Sequence, residues 1–122
     1  MGKSVTIFGV SLESQIKAEI LDKFEACLDG SEQKIVVTPN SEMLLLARIN
    51  NKFRDALNNA AIRLVDGFGP VFMARLLYGV RLKRYPGVDA VGDIITLAAR
   101  KNKKVFLLGG NEAVLEKLIA KW

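Results

Sequence analysis

Four apolar runs of this chain each end in a polar or glycine-containing segment. These segments lie at residues 9, 38–40, 66–67 and 109–110, and a stretch with helical periodicity follows each of them. In open parallel sheets, ligands bind beyond the carboxyl ends of the strands, where helix N-termini present free N–H groups to a phosphate. We therefore expect one pocket to collect these segments.

Asp66 is the residue best suited to acid–base chemistry. It directly follows the apolar residues 62–65 and precedes Gly67. A carboxylate at the end of a strand could act as a general base, although a helix-capping or turn aspartate is the alternative. Thr38 and Asn40 either form the turn after their strand or donate hydrogen bonds to a ligand.

Two further features could bind phosphate. Arg84 lies in a basic loop and could reach a phosphate as a forked donor, or could simply be solvated. Gly109 and Gly110 could form a phosphate cradle or a plain tight turn. They lack the GxGxxG spacing and the Walker lysine, so neither a dinucleotide fold nor a P-loop is indicated.

The composition excludes several classes of site. The chain has no histidine and one cysteine, Cys27. Catalysis by Ser-His-Asp or Cys-His is therefore excluded, and a zinc site is almost excluded. No DxD pair occurs, so a metal-bridged sugar-nucleotide site has no obvious ligands. We expect no metal and no cofactor.

The net charge of +5 is concentrated in the second half of the chain. Residues 1–74 carry 8 basic and 9 acidic side chains, whereas residues 75–122 carry 10 basic and 4 acidic ones. The second half should attract anions such as phosphates or acidic lipid headgroups, or it is a solvated basic face. Nucleic acid is not expected, because the basic residues are not interleaved with aromatic ones.

Apolar runs alternate with amphipathic stretches along the chain. The runs predict strands at residues 4–10, 34–37, 62–65 and 104–108. Because these runs are continuously apolar, they indicate a parallel sheet covered by helices on both faces. The sequence predicts one α/β domain over residues 1–122 with a Rossmann-like sheet of about four strands. The last helix has no strand after it, which fits either a compact sheet or the front part of a longer domain.

Several segments in this order resemble one protein family. They read VTPNSE at residues 37–42, LAR at 46–48, FRDAL at 53–57 and VDGFG at 65–69. RYPGVD at 84–89 is similar to the family's Arg-x-x-Gly-x-Asp segment, and VFLLGG at 105–110 resembles its Gly-Gly strand. The family is the WecG/TagA/CpsF glycosyltransferases of bacterial cell-surface polymer synthesis, and the similarity extends from about Val5 to Lys121.

The resemblance implies an inverting sugar transfer that needs no metal. Members typically move N-acetylmannosamine, or a related hexose, from a UDP-sugar to a polyprenyl-diphosphate-linked N-acetylglucosamine. The product contributes to wall teichoic acid or a polysaccharide antigen. The enzyme is expected in the cytoplasm, peripheral at the inner face of the plasma membrane.

The resemblance also implies roles for individual residues. Asp66 would be the general base, with Thr38 beside it in the catalytic pair. Arg84 would neutralise a diphosphate. The other substrate-binding residues implied by the motifs are Asn40, Gly67, Asp89, Gly109 and Gly110.

The family domain typically extends beyond the segments matched here. It continues through a Gly-x-Pro-x-Gln-Glu motif and a C-terminal appendage that supports membrane docking, neither of which this sequence contains. We expect the chain to cover the N-terminal part of that domain. An apolar patch left exposed could promote self-association into a homo-oligomer.

Two other functions compete with the transferase. A non-catalytic module that binds a nucleotide or phosphate is the alternative, since the pocket would suit such a ligand without turnover. A receiver- or flavodoxin-like domain ranks last, because a receiver requires an acidic pair after the first strand and residues 8–11 contain none.

Overall fold

The computed structural model describes residues 3–14 and 16–121. In these ranges the chain forms six helices and two small sheets of two strands each. The strands are β1 (Lys3–Ile7), β2 (Val10–Ser14), β3 (Val36–Val37) and β4 (Ile62–Arg63). The helices are α1 (Lys17–Asp29), α2 (Ser41–Ile49), α3 (Asn51–Asn58), α4 (Phe68–Tyr78), α5 (Gly87–Arg100) and α6 (Glu112–Lys121).

The first structural unit is an antiparallel hairpin, in which β1 pairs with β2. The sequence predicted a single strand over residues 4–10, which is correct as far as Ile7, but the chain then turns back into a second strand. Phe8 and Gly9 adopt φ values of 51° and 83°, as the central residues of a tight two-residue hairpin turn do. Ser11 therefore lies in β2, and the first helix begins only at Lys17.

The β3–β4 pair is the parallel element that positions the site. Val36 is in register with Ile62 and Val37 with Arg63. The pairing continues beyond these residues, because the amide of Leu64 donates to the carbonyl of Val37 at 2.9 Å. The predicted parallel sheet of four strands is not formed by the described residues, which contain a parallel pair and a separate hairpin.

Helices cover both faces of β4, as its continuous apolar sequence predicted. Ile62 and Leu64 pack with α1 and α5 in one core, which includes Phe24. Val65 packs in a second core with α2, α3, α4 and the hairpin. The residues that form this second core are Val5, Ile7, Val10, Leu12, Leu44, Ala47, Leu57, Val65, Ala74 and Leu82.

The segment before α6 differs most from the sequence-based prediction. Residues 104–108 were predicted as a strand, but they are not paired into either sheet of the described chain. Phe106 is 85% exposed and Leu108 91% exposed. A strand requires a neighbour to satisfy its backbone groups, and neither β3 nor β4 pairs with this segment. No helix among residues 3–14 and 16–121 is long and apolar enough to cross a membrane.

Candidate functional site

The carboxyl ends of β3 and β4 bring Thr38 and Asp66 to one edge of the fold. The amide of Asp66 donates to the carbonyl of Pro39 at 3.2 Å, so the two chain segments remain adjacent after their strands end. Thr38 and Asp66 are both half-buried, which leaves part of each side chain accessible. The structure therefore joins the two residues that the sequence analysis assigned to catalysis.

Gly87, the first residue of α5, lies directly against this pair. A Cβ atom at Gly87 would lie 3.2 Å from Oγ1 of Thr38 and 3.6 Å from Oδ2 of Asp66. A larger side chain would enter the space between the two candidate catalytic groups. The sequence analysis did not select Gly87 as a site residue, although it lies inside the quoted RYPGVD motif.

Arg84 and Gly67 lie beside the same edge. The Arg84 guanidinium carbon lies 4.6 Å from the centre of the Phe68 ring, at the start of α4. Phe68 follows Gly67, whose φ of 84° is strained for any residue with a side chain. Both Arg84 and Phe68 are exposed, so the guanidinium stacks on the Phe68 ring and remains open to an incoming anion.

Asn40 has a defined structural role in this region. Its side-chain oxygen accepts a hydrogen bond from the amide of Met43 at 3.0 Å and caps α2. The same arrangement recurs at Asn50, which caps α3 through the amide of Phe53 at 3.0 Å. The role of Asn40 in binding a substrate stays a prediction.

We expect Asn40→Ala to destabilise the protein by about 1 kcal/mol, because the amide of Met43 loses its capping partner. Asn50→Ala should have a similar effect on stability and is the matched control. Chemical denaturation measures both changes. If Asn40 also binds substrate, only Asn40→Ala should reduce activity; equal activity in the two variants would limit Asn40 to capping.

Asp89 lies in the first turn of α5, on a surface cavity of about 230 Å³. Arg84 and Lys17, from the start of α1, line the same cavity. The cavity lining thus combines cationic side chains with the Asp89 carboxylate. Its full lining is Lys17, Lys83, Arg84, Tyr85, Pro86 and Asp89.

The structure does not bring Gly109 and Gly110 against the other predicted site residues. Both are exposed, with φ values of 108° and 71°, in the turn before α6. A Cβ atom at Gly109 would meet no heavy atom within 4 Å, and one at Gly110 would meet only Val114. Their predicted role in nucleotide binding therefore has no support from packing in this structure.

Tyr85 is a buried polar residue beside the site that the sequence analysis missed. Its hydroxyl donates a hydrogen bond to Oδ2 of Asp93, in the second turn of α5. Burial, together with that hydrogen bond, raises the pKa of the Tyr85 hydroxyl above its usual range. Because Tyr85 lies in a loop between an arginine and a proline, no periodic pattern of apolar residues indicates that it is buried.

The edge formed by Thr38, Asp66 and Gly87 offers a carboxylate, a hydroxyl and a nearby guanidinium. In the part of the chain that the structure describes, no three His, Cys, Asp or Glu side chains cluster closely enough to hold a metal ion. In this arrangement Asp66 can accept a proton, and the positively charged guanidinium of Arg84 can stabilise an anion. These are the requirements of a group transfer with an anionic leaving group.

Comparison with known proteins decides the family. The profile of the Glycosyl transferase WecG/TagA/CpsF family matches residues 5–122, nearly the whole chain. The chain belongs to the WecG/TagA/CpsF family. The resemblance inferred from the TPN, DGFG and RYPGVD segments is thereby confirmed.

Two curated relatives of this chain carry the same enzyme name. A protein of Staphylococcus aureus (strain NCTC 8325 / PS 47) is 25% identical over 114 residues, which are 92% of this chain and 45% of the relative. A protein of Bacillus subtilis (strain 168) is 29% identical over 94 residues, 77% of this chain and 37% of the relative. Both are named N-acetylglucosaminyldiphosphoundecaprenol N-acetyl-beta-D-mannosaminyltransferase. The chain spans about half the length of these relatives or less.

Proposed function

We propose that the protein is an inverting glycosyltransferase. It transfers N-acetylmannosamine, or a related hexose, from a UDP-sugar to a polyprenyl-diphosphate-linked N-acetylglucosamine. The observation that carries the proposal is the convergence of Thr38, Asp66 and Gly87 at the β3–β4 edge, where the amide of Tyr85, the residue after Arg84, donates to the carbonyl of Val65. Membership of a glycosyltransferase family and the names of the curated relatives support the same reaction class.

In the proposed reaction, Asp66 accepts the proton of the acceptor hydroxyl. The acceptor oxygen forms a bond to the anomeric carbon of the donor sugar as the bond from that carbon to the diphosphate breaks. The configuration inverts because attack and departure occur on opposite faces. UDP leaves with its negative charge, and the Arg84 guanidinium stabilises that charge as it develops. Thr38 lies against the same space and orients the acceptor hydroxyl.

The proposed partners follow from these substrates. The donor is a UDP-sugar, and the acceptor is a lipid diphosphate, which places the enzyme at the cytoplasmic face of the plasma membrane as a peripheral protein. The excess of basic residues after position 74 suits both a diphosphate and an anionic lipid surface. The proposal includes no metal and no cofactor.

The proposal is tested by measuring UDP release from UDP-N-acetylmannosamine in the full-length protein. We expect release that depends on a lipid-diphosphate N-acetylglucosamine analogue, with no more than slow hydrolysis when the acceptor is omitted. UDP binding by calorimetry without acceptor-dependent release would reject the transferase and favour the nucleotide-binding module. Parallel reactions with UDP-glucose and UDP-N-acetylglucosamine control for the identity of the sugar.

A further inference from the structure

Tyr85 connects the loop before α5 to two helices. Its ring is 7% exposed and meets Phe24 of α1 edge-on, with the ring centres 6.0 Å apart. Its hydroxyl donates to Asp93 of α5, and the same carboxylate oxygen lies 3.8 Å from Nζ of Lys17 on α1. The side chain of Tyr85 is therefore held by both helices at once.

The backbone of Tyr85 is hydrogen-bonded to the segment that leads into Asp66. Its amide donates to the carbonyl of Val65 at 2.7 Å, and Val65 immediately precedes Asp66. The residue before Tyr85 is Arg84, and Gly87 lies two residues after it. One buried residue thus joins the segment that carries Arg84 to the segment after β4 that carries Asp66.

We propose that Tyr85 is a positioning residue, whose bond to Asp93 sets the placement of Arg84 and Gly87 relative to Asp66. The proposal rests on the proposed function, because it assigns Tyr85 to the transferase site. The proposal gives Tyr85 no direct role on either substrate. It acts through the loop that connects α4 to α5.

The hydroxyl is the part of Tyr85 that packing alone does not explain. A phenylalanine would supply the same ring to the core with Phe24, and a buried hydroxyl is unfavourable unless it has a partner. Here the partner is a carboxylate 25% exposed, which also neighbours Lys17. A charge-assisted hydrogen bond of this kind is short and directional, so it fixes where the loop lies.

We expect Tyr85→Phe to lower kcat for UDP release by roughly tenfold, with little change in the donor KM, because small displacements of catalytic groups slow the reaction strongly. Arg84 is proposed to act on charge that develops in the transition state, so its displacement affects kcat more than ground-state binding. Tyr78→Phe, at a position 53% exposed on α4, is the matched control and should leave kcat unchanged. Tyr85→Phe with wild-type kcat overturns the proposal, even if its melting temperature falls.

Variants of Asp93 separate positioning from general stability. Asp93→Asn keeps an oxygen that can accept from Tyr85 and should retain most of the activity, whereas Asp93→Leu should match Tyr85→Phe. The double variant Tyr85→Phe/Asp93→Leu should be no slower than either single variant, since both remove the same bond. A double variant whose loss in kcat equals the product of the two single losses would contradict the proposal.

Hydrogen exchange tests the hydrogen bond from Tyr85 to Asp93 without relying on activity. In Tyr85→Phe we expect faster exchange in peptides covering residues 84–90, which include the amide of Ala90 bonded to Pro86 at 3.0 Å. Peptides from α2 should be unchanged, as should all peptides of Tyr78→Phe. An inactive wild-type protein would reject the proposed function. Unchanged exchange at residues 84–90 in Tyr85→Phe would separately reject the positioning role of Tyr85.

Discussion

Asp66→Asn is expected to slow acceptor-dependent UDP release by roughly 10²–10⁴-fold, the usual contribution of a general base. Asparagine has nearly the shape of aspartate but cannot take the proton of the acceptor hydroxyl. Asp66 lies at the edge where β3 and β4 end, beside Thr38 and Gly87. The loss should therefore appear in kcat, measured with saturating donor and acceptor.

Asp55→Asn is the matched control for this variant, since Asp55 is an exposed aspartate on α3 and the substitution removes the same charge. Its activity should equal that of the wild-type protein. Circular dichroism and thermal melting should show both variants folded, because Asp66 is only half-buried. A fully active Asp66→Asn protein would exclude Asp66 as the base and remove the central residue of the proposed mechanism.

The second large effect is expected at Arg84. Arg84→Met should lower kcat by roughly 10²–10³-fold, the effect of removing one group that stabilises developing negative charge. Arg84→Lys should recover only part of the loss. Lysine keeps the charge but not the planar fork that binds a diphosphate, nor the flat face that stacks 4.6 Å from the Phe68 ring. Steady-state kinetics with varied donor concentration measures these changes.

Arg100→Met controls for the loss of one positive charge, because Arg100 lies exposed in the last turn of α5. It should leave kcat unchanged. A variant Arg84→Met that raised KM while kcat stayed constant would mean that Arg84 binds the ground state and the transition state equally. That result would contradict its proposed action on the leaving UDP.

The local features of this chain follow from short stretches of sequence. Asn40 caps α2, Asn50 lies between α2 and α3 and caps α3, and Gly30 directly follows the last residue of α1. Each depends on residues within one or two helical turns, where capping and helix-breaking act directly. The order of motifs was enough to identify the family.

Two errors arose where the residues did not show the usual signals. Phe8 is an unusual residue for a turn with positive φ, so the hairpin resembled one continuous strand followed by a helix. Residues 104–108 have the composition of a buried strand, yet Phe106 and Leu108 are among the most exposed apolar residues described. The amino-acid composition of a segment indicates whether it could be buried. Its pairing in a β-sheet depends on which other segments lie beside it.

The sequence by itself was enough to propose the reacting groups, because Asp66, Thr38 and Arg84 are selected by residue type and by the motifs that contain them. The contacts of Gly87 with Thr38 and Asp66, and the bonds of Tyr85 to Val65 and Asp93, required the tertiary structure. Most of these contacts join residues about 20 or more positions apart, and no local rule of propensity or spacing specifies such pairs. They form because helices on both faces of β4 close the chain around it, and this packing places the loop of Arg84 beside the segment after β4 that contains Asp66.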